Sequence, residues 1–164
     1  MGSRLHFQDF PLPGVEVRTS TIGDCLRLGP NLRNEDKEEI LAALGCEPTE
    51  GLTHTFFNSQ ACLTIVQDGE PTTMFGSGRM PDQKGVGMIW MLSSPELLKI
   101  KKPFLRESKR FIALLTAPYD VVMNYVDCRN LLHRRWLEWC GFVFIAKHDS
   151  FGVGKLPFYE FVRI

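Results

Sequence analysis

The spacing of apolar and polar positions changes along this chain, and the changes mark its elements. Val15-Glu16-Val17-Arg18-Thr19 alternates, which predicts a first strand. Asp24 to Leu32 reads as a weak helix interrupted by Gly29-Pro30. Asn34 opens a stronger one. Asn34 is placed to cap it, and Glu35 and Asp36 fall in the first turn, where the helix dipole favours acids. Ile40, Leu41 and Leu44 give this helix an apolar face, and Gly45 stops it. Pro48-Thr49-Glu50 starts another helix that runs to about Ser59. Ala61 to Gln67 is a strand, Asp68-Gly69 a hairpin turn, and Glu70 to Gly76 the partner strand. After a polar turn at Pro81 to Gly85, Val86 to Leu92 is almost wholly apolar, as a central strand covered on both faces must be.

Ser93-Ser94-Pro95-Glu96 signals a helix entry, with Ser94 as N-cap and Pro95 at the first position. Pro103 marks a second start, from which Phe104, Ser108, Phe111, Ile112 and Leu115 lie along one helical stripe. Val121 to Val126 is a short buried strand. Asn130 is placed to cap the helix that follows, in which Leu132, Trp136, Trp139 and Cys140 share a face, and Gly141 closes it in the left-handed region. Phe142 to Ile145 restarts a strand, Asp149 to Gly154 turns, and Phe158 to Ile164 ends the chain. The expected order is β-α-α-β-β-β-α-β-α-β-β. A helical crossover between two apolar strands joins them in parallel. The fold class is therefore α+β, a mixed and twisted sheet of about six or seven strands with helices on both faces. Residues 1–14 read as an irregular arm and 15–164 as a single domain.

Composition narrows the function classes. A chain of 164 residues can bury a sizeable core. Nineteen basic and nineteen acidic residues cancel, which argues against nucleic-acid binding, where a basic excess is usual. No apolar run approaches a membrane span, and the opening MGSRLHFQDF has no apolar core of a signal peptide, so no membrane is expected. The five cysteines are scattered, with no C-x-x-C pair and no His at metal-ligand spacing, which predicts reduced thiols, a cytoplasmic setting and no metal.

The stretch from Asn124 to Phe142, NYVDCRNLLHRRWLEWCGF, carries a resemblance. Strand, Asn130, helix and then Gly141-Phe142 have the spacing seen in the last quarter of the GNAT family, the acyl-CoA-dependent N-acyltransferases. With SPE, FLRESKRF and DGEPTTMFG upstream, the chain also resembles a GNAT-like family encoded by tailed bacteriophages, some of whose members are labelled internal virion protein. The resemblance spans about Val15 to the C-terminus. It implies a GNAT-like fold, in which two strands splay at their C-terminal ends and hold acetyl-CoA or CoA in the gap. It also implies a setting in host cytoplasm or virion, with a phage or host protein as partner.

The chemistry departs from that family in two places. The glycine-rich phosphate turn, expected between Leu92 and Phe104, is replaced by SSPELLKIKKPF, which has no glycine. Trp90, Met91, Leu92, Ser93, Ser94, Lys101, Lys102 and Asn130 are left as candidate cofactor contacts, through strand backbone, hydroxyls, helix N–H groups and charge. A cap and a solvated face are the simpler and preferred reading of the serines and lysines. The Tyr that many active members place four residues before the closing glycine is Leu137 here. His133 is the candidate base, or else a partly exposed helical histidine paired with a carboxylate such as Asp127. Cys128 reads as a small buried thiol. These departures favour a GNAT-fold protein with a degenerate acyl-CoA site, acting in assembly or as a protein binder. An active N-acetyltransferase acting on a protein or small amine is the alternative.

Overall fold

The computed structural model describes residues 10–164. Strand β1 (Val15–Thr19) leads into helices α1 (Ile22–Leu28), α2 (Asn34–Leu44) and α3 (Pro48–Phe57). Three antiparallel strands follow: β2 (Ala61–Gln67), β3 (Glu70–Arg79) and β4 (Val86–Ser93). Helix α4 (Lys101–Thr116) crosses to β5 (Val121–Asp127), and α5 (Leu131–Trp139) precedes β6 (Val143–Phe151) and β7 (Leu156–Arg163). The seven strands form one sheet, ordered β1-β2-β3-β4-β5-β7-β6. Only β4 and β5 run parallel, as the crossover predicts. The first nine residues of the expected arm lie outside the described residues. The rest of it is docked, with Phe10 stacked on Phe111 at 6.5 Å.

Three helices, not two, separate β1 from β2. The weak segment is a separate helix because Thr21 and Asp24 form a reciprocal capping box at its start, and Gly29–Asn31 continues it as a 3-10 turn. Asn34 does not cap α2. It is the first helical residue, and Arg33 stands at the cap position without a side-chain cap. Ile40 is buried as expected, but Leu41 and Leu44 are exposed. The buried side of α2 instead carries Asp36, one turn before Ile40.

The helices cover both faces of the sheet. On one face α4 and α5 bury Phe104, Phe111, Ile112, Leu115, Trp136 and Leu137 against Phe75, Ile89 and Met91. On the other, α1 to α3 bury Cys25, Leu28, Ile40 and Leu52 against Met74 and Leu92. The stripe expected on α4 is buried throughout. That of α5 is rotated: His133, Trp136, Leu137 and Cys140 face inward, while Leu132 is half-buried and Trp139 is 49% exposed. The rotation carries the histidine, not Leu132, into the interior.

β4 and β5 pair only from Val86↔Val121 to Met88↔Met123. β4 then runs on to Ser93 against β3, and β5 to Asp127 against β7, without pairing to each other, so the two strands part toward their C-terminal ends. The Asn124 side chain spans the start of the opening, its Nδ2 donating to the Ile89 carbonyl at 2.8 Å.

Candidate functional site

The opening between β4 and β5 is where the two helical layers meet. Residues two apart in a strand turn their backbone polar groups to the same side. Ile89, Met91 and Ser93 therefore face the opening. At Ser93 both groups are taken by the start of α2. The Arg33 N–H donates to the Ser93 carbonyl at 2.8 Å, and the Ser93 N–H donates to Asp36 Oδ2 at 3.0 Å. Arg33 grips the same carboxylate through Nε at 3.2 Å and Nη2 at 2.9 Å.

Asn130 enters from the α5 side. It holds the N-cap position of α5 but makes no capping bond, contrary to expectation. Its Nδ2 donates to Asp36 Oδ1 at 3.0 Å and to Glu39 Oε2 at 2.7 Å, and its Oδ1 accepts from Arg33 Nη2 at 3.1 Å. The contacts fix the amide orientation, since only the NH₂ end can face two carboxylates. Glu39 Oε1 accepts the Asp127 N–H at 3.1 Å. Asp127 is held by Arg129, through contacts down to 2.7 Å, rather than by His133. His133 is only 6% exposed, not partly exposed, and its nearest carboxylate is Glu39, Nδ1 to Oε2 at 3.9 Å. Arg33, Asp36, Asp127, Asn130 and His133 are all buried. Burial pushes the Asp36 carboxyl above its ordinary value, against the downward pull of Arg33, His133 and the Ser93 N–H.

The other candidate residues scatter. Trp90 packs on the opposite face and donates its indole N–H to Ser59 at 2.7 Å. Leu92 is buried in the same cluster. Ser94 caps, as expected, but what it caps is a 3-10 helix from Pro95 to Ile100, which stands where a glycine-rich turn would lie. Lys102 is exposed. Met91 and Lys101 line a cavity of about 230 Å³ between the end of β4, α4 and α5, with Leu97, Phe104 and Trp136 also in its wall. Drug-sized ligands usually occupy pockets of about 300–1,000 Å³. A shallower hollow of about 480 Å³ adjoins it, and Arg33 lines both. Cys128 is half-buried and its thiol is pushed up by burial; burial drives Cys140 to about 12 and Cys25 to about 11, so none is a ready nucleophile. No helix among the described residues is long and apolar enough to cross a membrane.

Arg33, Asp36 and Glu39 were not singled out from sequence. The available signal was Asp36 four residues before Ile40, an acid on the buried side of a helix.

The architecture is that of the GNAT fold. Ard1 from Thermoplasma volcanium superposes with a TM-score of 0.67 at 14% identity, over 92% of this chain and 97% of that one. yncA from Salmonella typhimurium, solved with its cofactor acetyl-CoA, matches with a TM-score of 0.65 at 13% identity, over 92% and 93%. A GNAT-family acetyltransferase from Bacillus anthracis matches with a TM-score of 0.65 at 7% identity, over 92% and 94%. At these identities the likeness is one of fold. No protein-family model matches the chain, and no curated protein matches its sequence.

Proposed function

We propose that this is a phage-encoded GNAT-fold protein with a degenerate acyl-CoA site, which acts in virion assembly or as a binder of a phage or host protein, in host cytoplasm or virion. One observation carries the reading of the site. At the end of β4, where the fold would offer backbone groups to acyl-CoA, the Ser93 N–H and C=O are already bonded to Asp36 and Arg33. A ligand entering there must break two buried hydrogen bonds, one of them to the Asp36 carboxylate, and a hydrogen bond to a charged group contributes about 1.5–3 kcal/mol. The 3-10 helix after Ser94 and the small, largely apolar cavity add to it. The phage setting and the class of partner rest on the resemblance carried by Asn124 to Phe142 together with SPE, FLRESKRF and DGEPTTMFG upstream.

The alternative, an active N-acetyltransferase, draws on Met91 and Lys101, which line the cavity, and on His133 beside Glu39. A turnover assay separates the two. Purified protein is given acetyl-CoA and a panel of polyamines, aminoglycosides and peptide N-termini, and CoA release is followed. The proposal expects no release above the enzyme-free rate. Turnover that His133→Ala abolishes would overturn it.

A further inference from the structure

We infer that Asp36, Glu39 and His133 form a site for a first-row divalent metal ion, joining α2 to α5 through the opening in the sheet. One ligand atom from each of the three residues lies within 4.8 Å of the others. Acidic clusters are common without a metal, and here a second observation points to a ligand. His133 is aimed into the cluster, is 94% buried by its 6% exposure, and neither ring nitrogen has a hydrogen-bond partner. A buried nitrogen left without a partner destabilises the fold. A histidine held in that state is waiting for something to bind.

Charge points the same way. Arg33 answers Asp36 and Arg129 answers Asp127, through contacts of 2.9 Å and 2.7 Å. Glu39, with a side chain 12% exposed, makes no ion pair with a Lys or Arg among the described residues; the charge of Arg129 reaches it, but that guanidinium is already bound to Asp127, and His133 lies 3.9 Å away. Among the described residues, the neutral Asn130 amide is the group that bridges the two carboxylates. The buried group is thus short of one positive charge, which a bound cation would supply.

The donor set selects the ion. One imidazole with two carboxylates suits Zn²⁺ and its neighbours, whereas Mg²⁺ and Ca²⁺ prefer oxygen alone. Glu39 Oε2 and His133 Nδ1 are the direct ligands. The four oxygen sites of Asp36 are filled by Arg33, Asn130 and Ser93, so Asp36 must release the Asn130 bond to become the third. Sequence spacing gives no hint of the site, because its residues come from helices far apart in the chain. It does not depend on whether the cleft takes acyl-CoA.

The test uses the full chain, stripped with a chelator and titrated with ZnCl₂ by calorimetry at neutral pH, with melting temperature as a second readout. The inference expects one equivalent bound and a raised melting temperature. Glu39→Gln and His133→Ala should each weaken binding by about tenfold or more, and a Cys46→Ser/Cys128→Ser double variant should not. Co²⁺ absorption of the wild-type chain keeps the test sound if His133→Ala fails to fold: ligand-field bands without a thiolate charge-transfer band are expected. No Zn²⁺ binding, which is what a protonated His133 filling the site would give, overturns the inference. So do unchanged affinity in Glu39→Gln and a cobalt spectrum dominated by thiolate.

Discussion

Burial alone would push the Asp24 carboxyl up. Two bonds from the Arg18 guanidinium, at 2.7 and 2.9 Å, together with the Thr21 N–H and the Thr64 hydroxyl, outweigh burial and hold it below its ordinary value. Its folded pKa is therefore the lower one. The stability it supplies is fully present above the unfolded value and is lost as pH falls through the folded value. Asp24→Asn should cost about 1–3 kcal/mol near neutral pH. The gap from wild type should narrow below about pH 4. Urea unfolding of both proteins across that range checks this, and a gap that stays constant to low pH would contradict it. Individual site residues were only partly legible in the sequence. Asn130 and His133 stood out by type and position, but their partners did not. Asp36 read only as a first-turn acid and Glu39 was not singled out, because nothing local says that α2 reaches through the sheet. Trp90 and Leu92 were placed with the cofactor because an apolar strand does not tell which face each residue takes. The strand period puts both on the α1–α3 side.

At the scale of elements, the apolar stripe of α4 fastens one helical layer to the sheet. Phe111 is 1% exposed and packs against Phe75, with ring centroids 5.4 Å apart. Phe111→Ala should cost about 3–5 kcal/mol, as large-to-small core changes do. Leu98→Ala, at a position 50% exposed on the 3-10 helix, should stay within about 0.5 kcal/mol. Denaturant unfolding of the pair tests it, and similar costs would mean that the stripe is not the anchor. The β2–β3 hairpin turns on Asp68 and Gly69, both at positive φ, 50° and 83°. Gly69→Ala should destabilise by about 1 kcal/mol although a Cβ there meets nothing, because the strain lies in the backbone. Elements were the most legible level. The hairpin, the central apolar strand and the α4 stripe follow from period and turn residues. Helix α1 was underrated because its capping box begins at Thr21, ahead of the apolar pattern. The rotation of α5 was missed because Leu132 and Trp139 look more like core than His133 does, and only the opening beneath the helix decides otherwise.

At the scale of the molecule, α2 and α5 lie on opposite faces of the sheet yet bond to each other where β4 and β5 part. The gap between the strands is here spanned by side chains, Arg33 and Asp36 from one side and Asn130 from the other, with His133 beside them, which under the proposed function closes the cleft. The fold and the splay were expected from element order and from the resemblance around Gly141-Phe142. What fills the splay was not, since it depends on contacts between residues more than ninety positions apart. The most direct test of this closure is isothermal titration of the wild-type chain with acetyl-CoA and with CoA at low salt. The account predicts no heat of binding and no thermal shift up to millimolar ligand. One-to-one binding at micromolar concentration, weakened when Lys101 is replaced by Glu, would mean that the cleft is open and that the contacts at Ser93 yield to the cofactor.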